Sequence, residues 1–118
     1  MDAALDATVD DLRREIGDPL VALDISESES ALSLTAFGTT SATGPMLHRV
    51  TQDLRQAAAL TGLATDDYHV LTVSGGVVVV VARPRLTAAL VLTDDAKLAW
   101  VLNDVVPTVR ATLDRATI

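Results

Sequence analysis

The residues of this chain whose types could do acid–base or metal chemistry are two histidines, His48 and His69, and three pairs of adjacent acids, Asp10-Asp11, Asp66-Asp67 and Asp94-Asp95. A metal site needs further His, Cys or carboxylate ligands at short spacing, and neither histidine has a flanking His or Cys. Both read as surface or edge residues. An acid/base dyad needs two carboxylates converging on one substrate atom, whereas adjacent residues point apart along the chain. Two of the acid pairs also sit where a helix start or a loop favours acids. Gly75-Gly76 is too short for a phosphate cradle, which needs a longer Gly-rich run opening a helix, usually with Lys and Ser or Thr. A strand follows it, so it reads as a hairpin turn. No Gly-x-Ser-x-Gly elbow supports a Ser-His-Asp triad. Arg83 and Arg85 flank a turn and give no candidate arginine finger. The sequence thus predicts no catalytic residues, no metal site and no cofactor.

The elements around these residues are far more informative. His69 to Thr93 reads as three strands joined by two short turns: His69–Val73, then Val77–Val81 after Ser74-Gly75-Gly76, then Leu86–Thr93 after Arg83-Pro84-Arg85. Five consecutive valines in a strand point alternately to both faces, so this ribbon needs apolar cover above and below. Helices on both faces of the sheet are the expected cover.

Upstream, Leu5, Val9, Leu12 and Ile16 form one helical stripe, with Asp2, Asp6, Asp10 and Asp11 early and Arg13 and Arg14 late, the charge order that suits the helix dipole. Gly17 takes the position after the last turn and Pro19 follows. Leu20–Ile25 and Ala31–Gly38 are strand-like, and Ser26 to Ser30 reads as their hairpin loop. Gly44-Pro45 opens a second helix to about Thr61, closed by Gly62. Its core stripe is Leu47, Val50, Leu54 and Ala57 or Ala58. A neighbouring mixed stripe of Met46, Arg49, Asp53, Gln56 and Leu60 forms a second contact face. Thr65-Asp66-Asp67 is a loop. The last helix starts at Thr93-Asp94-Asp95 and turns Leu98, Val101, Leu102, Val105, Val109 and Leu113 inward, with Pro107 predicting a kink near Asn103 to Val106 or two shorter helices. Trp100, the only tryptophan, reads as core in preference to an interface anchor.

At 118 residues and 49% hydrophobic, the chain suits one domain, 1–118, burying about 65% of its unfolded surface. The absence of cysteine excludes a disulfide scaffold and a thiolate zinc site. A net charge of −7 disfavours nucleic acid and anionic lipid, which reward clustered Lys and Arg. Eight of the nine basic residues are Arg, a usage that suggests a GC-rich bacterial genome. The acidic N-terminus does not look like a signal peptide, and the longest apolar run, Val77–Ala82, is too short for a bilayer. A cytoplasmic protein is the expectation.

The order helix, two strands, helix, three strands, helix defines an α/β fold: a three-layer α-β-α sandwich around a five-stranded, mostly antiparallel sheet. From Tyr68 onward, the strand ending at Ser74-Gly75-Gly76, the Val-rich strand ending at Arg83-Pro84, a further apolar strand, and Asp94 to Val101 opening the final helix make the chain resemble the Roadblock family. These are profilin-like relatives of dynein light chains and of bacterial partners of small GTPases. The chain departs from the family pattern at Ser26 to Ser30, where an Asp-Gly type turn is common, and at Pro107. The resemblance implies the sheet order 2-1-5-4-3 and a homodimer formed by the middle helix and the third strand. It also implies a non-catalytic scaffold that holds or regulates a Ras-like GTPase or a signalling complex.

The residues independently allow such a dimer. In an antiparallel pair of middle helices Arg49 would approach Asp53 or Gln56 of the other copy, with Met46 and Leu60 as apolar contacts, Ala57 to Ala59 permitting close approach and Val50 included in the interface. Arg49 and Asp53 also fit an ordinary solvated i,i+4 pair, worth a few tenths of a kcal/mol. Val70 and Leu71 on a short edge strand favour pairing. Two other classes share the composition. An acidic secretion-type chaperone binding an extended client segment would place three strands before the middle helix and two after it. A small-molecule sensor domain would need a roomy cavity with convergent polar groups, whereas the interior here is aliphatic.

Overall fold

The computed structural model describes residues 2–30, 32–38, 49, 53, 56, 60, 68–73 and 75–116. The first helix, α1 (Asp2–Ile16), buries Leu5, Val9 and Leu12 as its stripe requires, with Ile16 packed at the end. Gly17 adopts φ +75°, and its N–H donates to the Arg13 carbonyl at 3.0 Å, closing the helix in the left-handed conformation that glycine adopts without penalty.

Five strands follow: β1 (Leu20–Glu27), β2 (Ser33–Phe37), β3 (Tyr68–Val73), β4 (Gly76–Ala82) and β5 (Leu86–Thr93). They form one sheet in the order β2-β1-β5-β4-β3, and all four pairings are antiparallel. The order implied by the family resemblance therefore holds. Two strands precede and three follow the segment that carries Arg49, Asp53, Gln56 and Leu60, all four helical. This is the division that separates the fold from the chaperone alternative. The rest of the expected helix from Pro45 to Thr61, and the Thr65-Asp66-Asp67 loop, lie outside the described residues.

The valine ribbon is covered on both sides. Val79 and Val81 point into the larger core, where they meet Leu23, Ile25 and Leu90 of the sheet and the buried faces of both terminal helices. Val78 and Val80 point the other way and pack with Ala89, Leu71 and Val91. Val79, Val80 and Val81 are each 0% exposed, and burying each valine contributes about 1.5–3 kcal/mol.

The second face is not aliphatic throughout. Toward β1 it becomes a row of buried polar residues, Asp24, Ser26 and Thr87, continued by Ser28 beyond the strand. The sequence places the hairpin loop at Ser26 to Ser30. Instead β1 continues through Glu27, helped by a bulge between Ile25 and Ser26. Ser28 is held by its N–H to the Arg85 carbonyl and by its hydroxyl to the Arg83 carbonyl and Thr87 Oγ1. Asp24 is 3% exposed and takes a 2.5 Å hydrogen bond from the Ser33 hydroxyl. Removing that donor leaves a buried acceptor unsatisfied, which costs about 1–3 kcal/mol. Ser33→Ala, although Ser33 is itself exposed, is therefore expected to lower the urea-unfolding free energy by that amount. A loss below about 0.5 kcal/mol, the usual range for surface substitutions, would contradict it.

A second bulge, at Val21, lets Gly38 approach the backbone. At φ +69°, a Cβ on Gly38 would lie 2.4 Å from the Val21 carbonyl oxygen, whereas one on Gly75 (φ +80°) meets nothing within 4 Å. Left-handed backbone costs a non-glycine residue about 1–2 kcal/mol. Gly75→Ala is expected to cost that alone, and Gly38→Ala clearly more, as read by denaturant midpoints. Equal losses would show that the Gly38 contact is not structural.

The C-terminal helix is interrupted where proline predicted. It comprises α2 (Leu98–Trp100), a π-helical segment (Val101–Val105) and α3 (Val106–Arg115). Pro107 has no N–H and would crowd the carbonyl one turn back. The wider turn relieves this: the Val106 N–H reaches back five residues to the Val101 carbonyl, and the Thr108 hydroxyl donates to the Asp104 carbonyl at 3.0 Å. Both Val105 and Val106 are thereby buried alongside Val101, Val109 and Leu113, while Leu98 and Leu102 are only half-buried.

Candidate interaction surfaces

The described residues hold no cluster of three or more His, Cys, Asp or Glu side chains able to bind a metal, and no helix among them is long and apolar enough to cross a membrane. Arg83, considered above for a catalytic arginine, has its Nε 2.8 Å from Asp114 Oδ1, joining the β4–β5 turn to α3. Arg13 lies over the Phe37 ring at 4.2 Å, and Asp6 accepts from the Thr35 hydroxyl at 2.6 Å, so both pin α1 to β2.

What the molecule offers instead is surface. Arg49, Asp53, Gln56 and Leu60 are spaced four, three and four residues apart, the spacing of one helical stripe. All four are exposed, and Leu60 is 89% exposed. A lone exposed leucine is unremarkable in globular proteins, but here it continues a line of groups that can pair with copies of themselves. On the sheet, β3 is an outer strand, paired among the described residues with β4 alone. Val70 is 37% exposed there, and Leu71 is half-buried against Val78 and Val80. Of the residues predicted for an interface, Arg49, Asp53, Gln56, Leu60 and Val70 are thus on the surface and Leu71 serves mainly the core. Met46, Val50 and Ala57 lie outside the described residues.

Trp100 corrects the expectation that it belongs to the core. It is 36% exposed and lines a cleft of about 450 Å³ between the end of α1 and the start of the C-terminal helix, beside Ile16, Pro19, Glu15, Asp95 and Lys97. Trp100 stands one step before the buried Val101, about 100° around the helix from it, and so points away from the stripe that Val101 opens.

An antiparallel sheet in the order 2-1-5-4-3, carrying both terminal helices on one face and buried on the other, is the Roadblock/LC7 fold, and this chain has it. Among solved structures it is similar to MglB of Myxococcus xanthus, with a TM-score of 0.79 at 9% identity over 99% of this chain and 92% of that one. A second MglB structure, described as having a tetrameric arrangement, gives 0.73 at 14% identity over 98% and 91%. A Roadblock/LC7 domain from Streptomyces avermitilis gives 0.64 at 12% identity over 97% and 98%. No protein-family model matches the chain, and no curated protein matches its sequence.

Proposed function

We propose that this chain is a non-catalytic homodimeric platform, in a bacterial cytoplasm, that holds or regulates a Ras-like GTPase or a signalling complex built around one. The observation that carries this reading is the exposed Arg49–Asp53–Gln56–Leu60 stripe together with the outer position of β3 in the described sheet. Two copies related by a two-fold axis would set Arg49 against Asp53 or Gln56 in both directions and cover both Leu60 side chains. Each buried leucine would add about 1.5–3 kcal/mol. The tetrameric arrangement named for a similar MglB structure supports self-association of this fold, and the sequence resemblance to the Roadblock family supports a GTPase-linked role. The aliphatic packing of the ribbon leaves the sheet interior filled, which favours a docking module over a small-molecule sensor.

The test is to titrate the chain with a Ras-like GTPase from the same genome, loaded with GDP or with a non-hydrolysable GTP analogue, by calorimetry. A complex favoured in one nucleotide state, with no GTP turnover by the chain alone, is expected. Absence of a complex in both states, or turnover by the chain alone, contradicts the proposal.

A further inference from the structure

We infer that the Trp100 cleft is a second docking site, independent of the dimer surface, and that its occupant is a short basic segment of a partner protein: an arginine with an apolar neighbour. The cleft has an apolar wall of Ile16, Pro19 and the Trp100 ring, and its volume of about 450 Å³ is in the ~300–1,000 Å³ range of sites that enclose a ligand. Trp100 directly precedes the π-helical segment that starts at Val101, a helix irregularity that recurs at functional sites.

The charges around the ring choose the occupant. Glu15 and Asp95 face one ammonium, Lys97, giving the lining a net negative charge in a chain already at −7. Among the described residues Glu15 makes no ion pair, and Asp95 accepts the Thr93 hydroxyl through one oxygen. An anionic ligand would meet two carboxylates. A guanidinium satisfies both features at once, since its plane stacks on an indole face while its N–H fork donates to a carboxylate. The Lys97 ammonium, for which no ion pair is found among the described residues, then has donors for backbone carbonyls of the same segment, which favours a peptide over a bare cation. An apolar residue beside the arginine would cover Ile16 and Pro19.

Trp100 is the only tryptophan, so its emission reports occupancy directly. The probe is a blocked Arg-Leu-Arg-Leu peptide, with blocked Glu-Leu-Glu-Leu as control. The basic peptide is expected to change Trp100 emission saturably below about 1 mM, with an affinity that falls as salt is raised, and the acidic one to do nothing. Glu15→Lys, at an exposed site, and Trp100→Ala, followed by calorimetry, are each expected to weaken binding at least about tenfold. No saturable change, equal binding of both peptides, or unchanged affinity in Glu15→Lys overturns the inference. Emission that shifts with protein concentration alone, and is insensitive to peptide, would assign the cleft to a second copy of the chain and overturn it equally.

Discussion

Val79→Asp and Val80→Asp are both expected to leave the chain without a cooperative unfolding transition at 25 °C. Each residue is 0% exposed, and the two point to opposite faces of β4. Each substitution forfeits about 1.5–3 kcal/mol of apolar burial. It also places a carboxylate among the apolar side chains that pack around each valine, at an effective penalty of several kcal/mol more. The sum reaches the lower part of the 5–15 kcal/mol that holds an ordinary domain together, enough to unfold a marginally stable one. Ala111→Asp on the exposed side of α3 is the control, expected to cost less than about 1 kcal/mol. Far-UV circular dichroism against urea reads all three. If one of the two valine variants folds with near-native stability, the sheet is open to water on that face and the layered fold is wrong.

The second large effect is on association. Arg49→Asp puts two like charges near each other across the proposed two-fold axis, where Arg49 would meet Asp53 or Gln56, and Leu60→Asp replaces an apolar contact with another acid. Like-charge juxtaposition at an interface costs several kcal/mol, and loss of a central contact about 2 kcal/mol or more. A penalty near 3 kcal/mol weakens association by about 10²-fold. The double variant is therefore expected to run as a monomer by light scattering at concentrations where the parent is paired, and Met46→Asp combined with Arg49→Asp to do the same. The altered positions Arg49 and Leu60 are exposed in the single chain, so the urea transition of their double variant should persist. Amide hydrogens of β3 are expected to exchange faster in the monomer, because an edge strand paired with a second copy loses that partner. Unchanged mass would return Arg49 and Asp53 to an ordinary solvated pair.

Much of the fold was legible in the sequence because its strongest signals are periodic and local. The α1 stripe with its Gly17 stop, the hairpin at Gly75, the strand from Leu86 to Thr93 and the disturbance at Pro107 each follow from a few neighbouring residues. Asp24 and Ser26 were not legible as buried, since a polar residue at alternate positions is the usual mark of a solvent face. Their burial follows from the position of β1 between β2 and β5, a non-local fact. The orientation of Trp100 was hidden for a similar reason. Its apolar neighbours Leu98 and Val101 suggested burial, yet Leu98 is only half-buried and Val101 faces about 100° away around the helix. Of the candidate interface, the sequence pointed to Arg49, Asp53, Gln56, Leu60 and Val70, which are all exposed, while Leu71 packs inward. The Trp100 cleft came only from the structure.

Sedimentation equilibrium of the unaltered chain across micromolar concentrations tests the platform proposal most directly. A mass near twice 12.4 kDa, falling toward the single-chain value in Arg49→Asp/Leu60→Asp, is the expected result. A mass of 12.4 kDa at every concentration would contradict it.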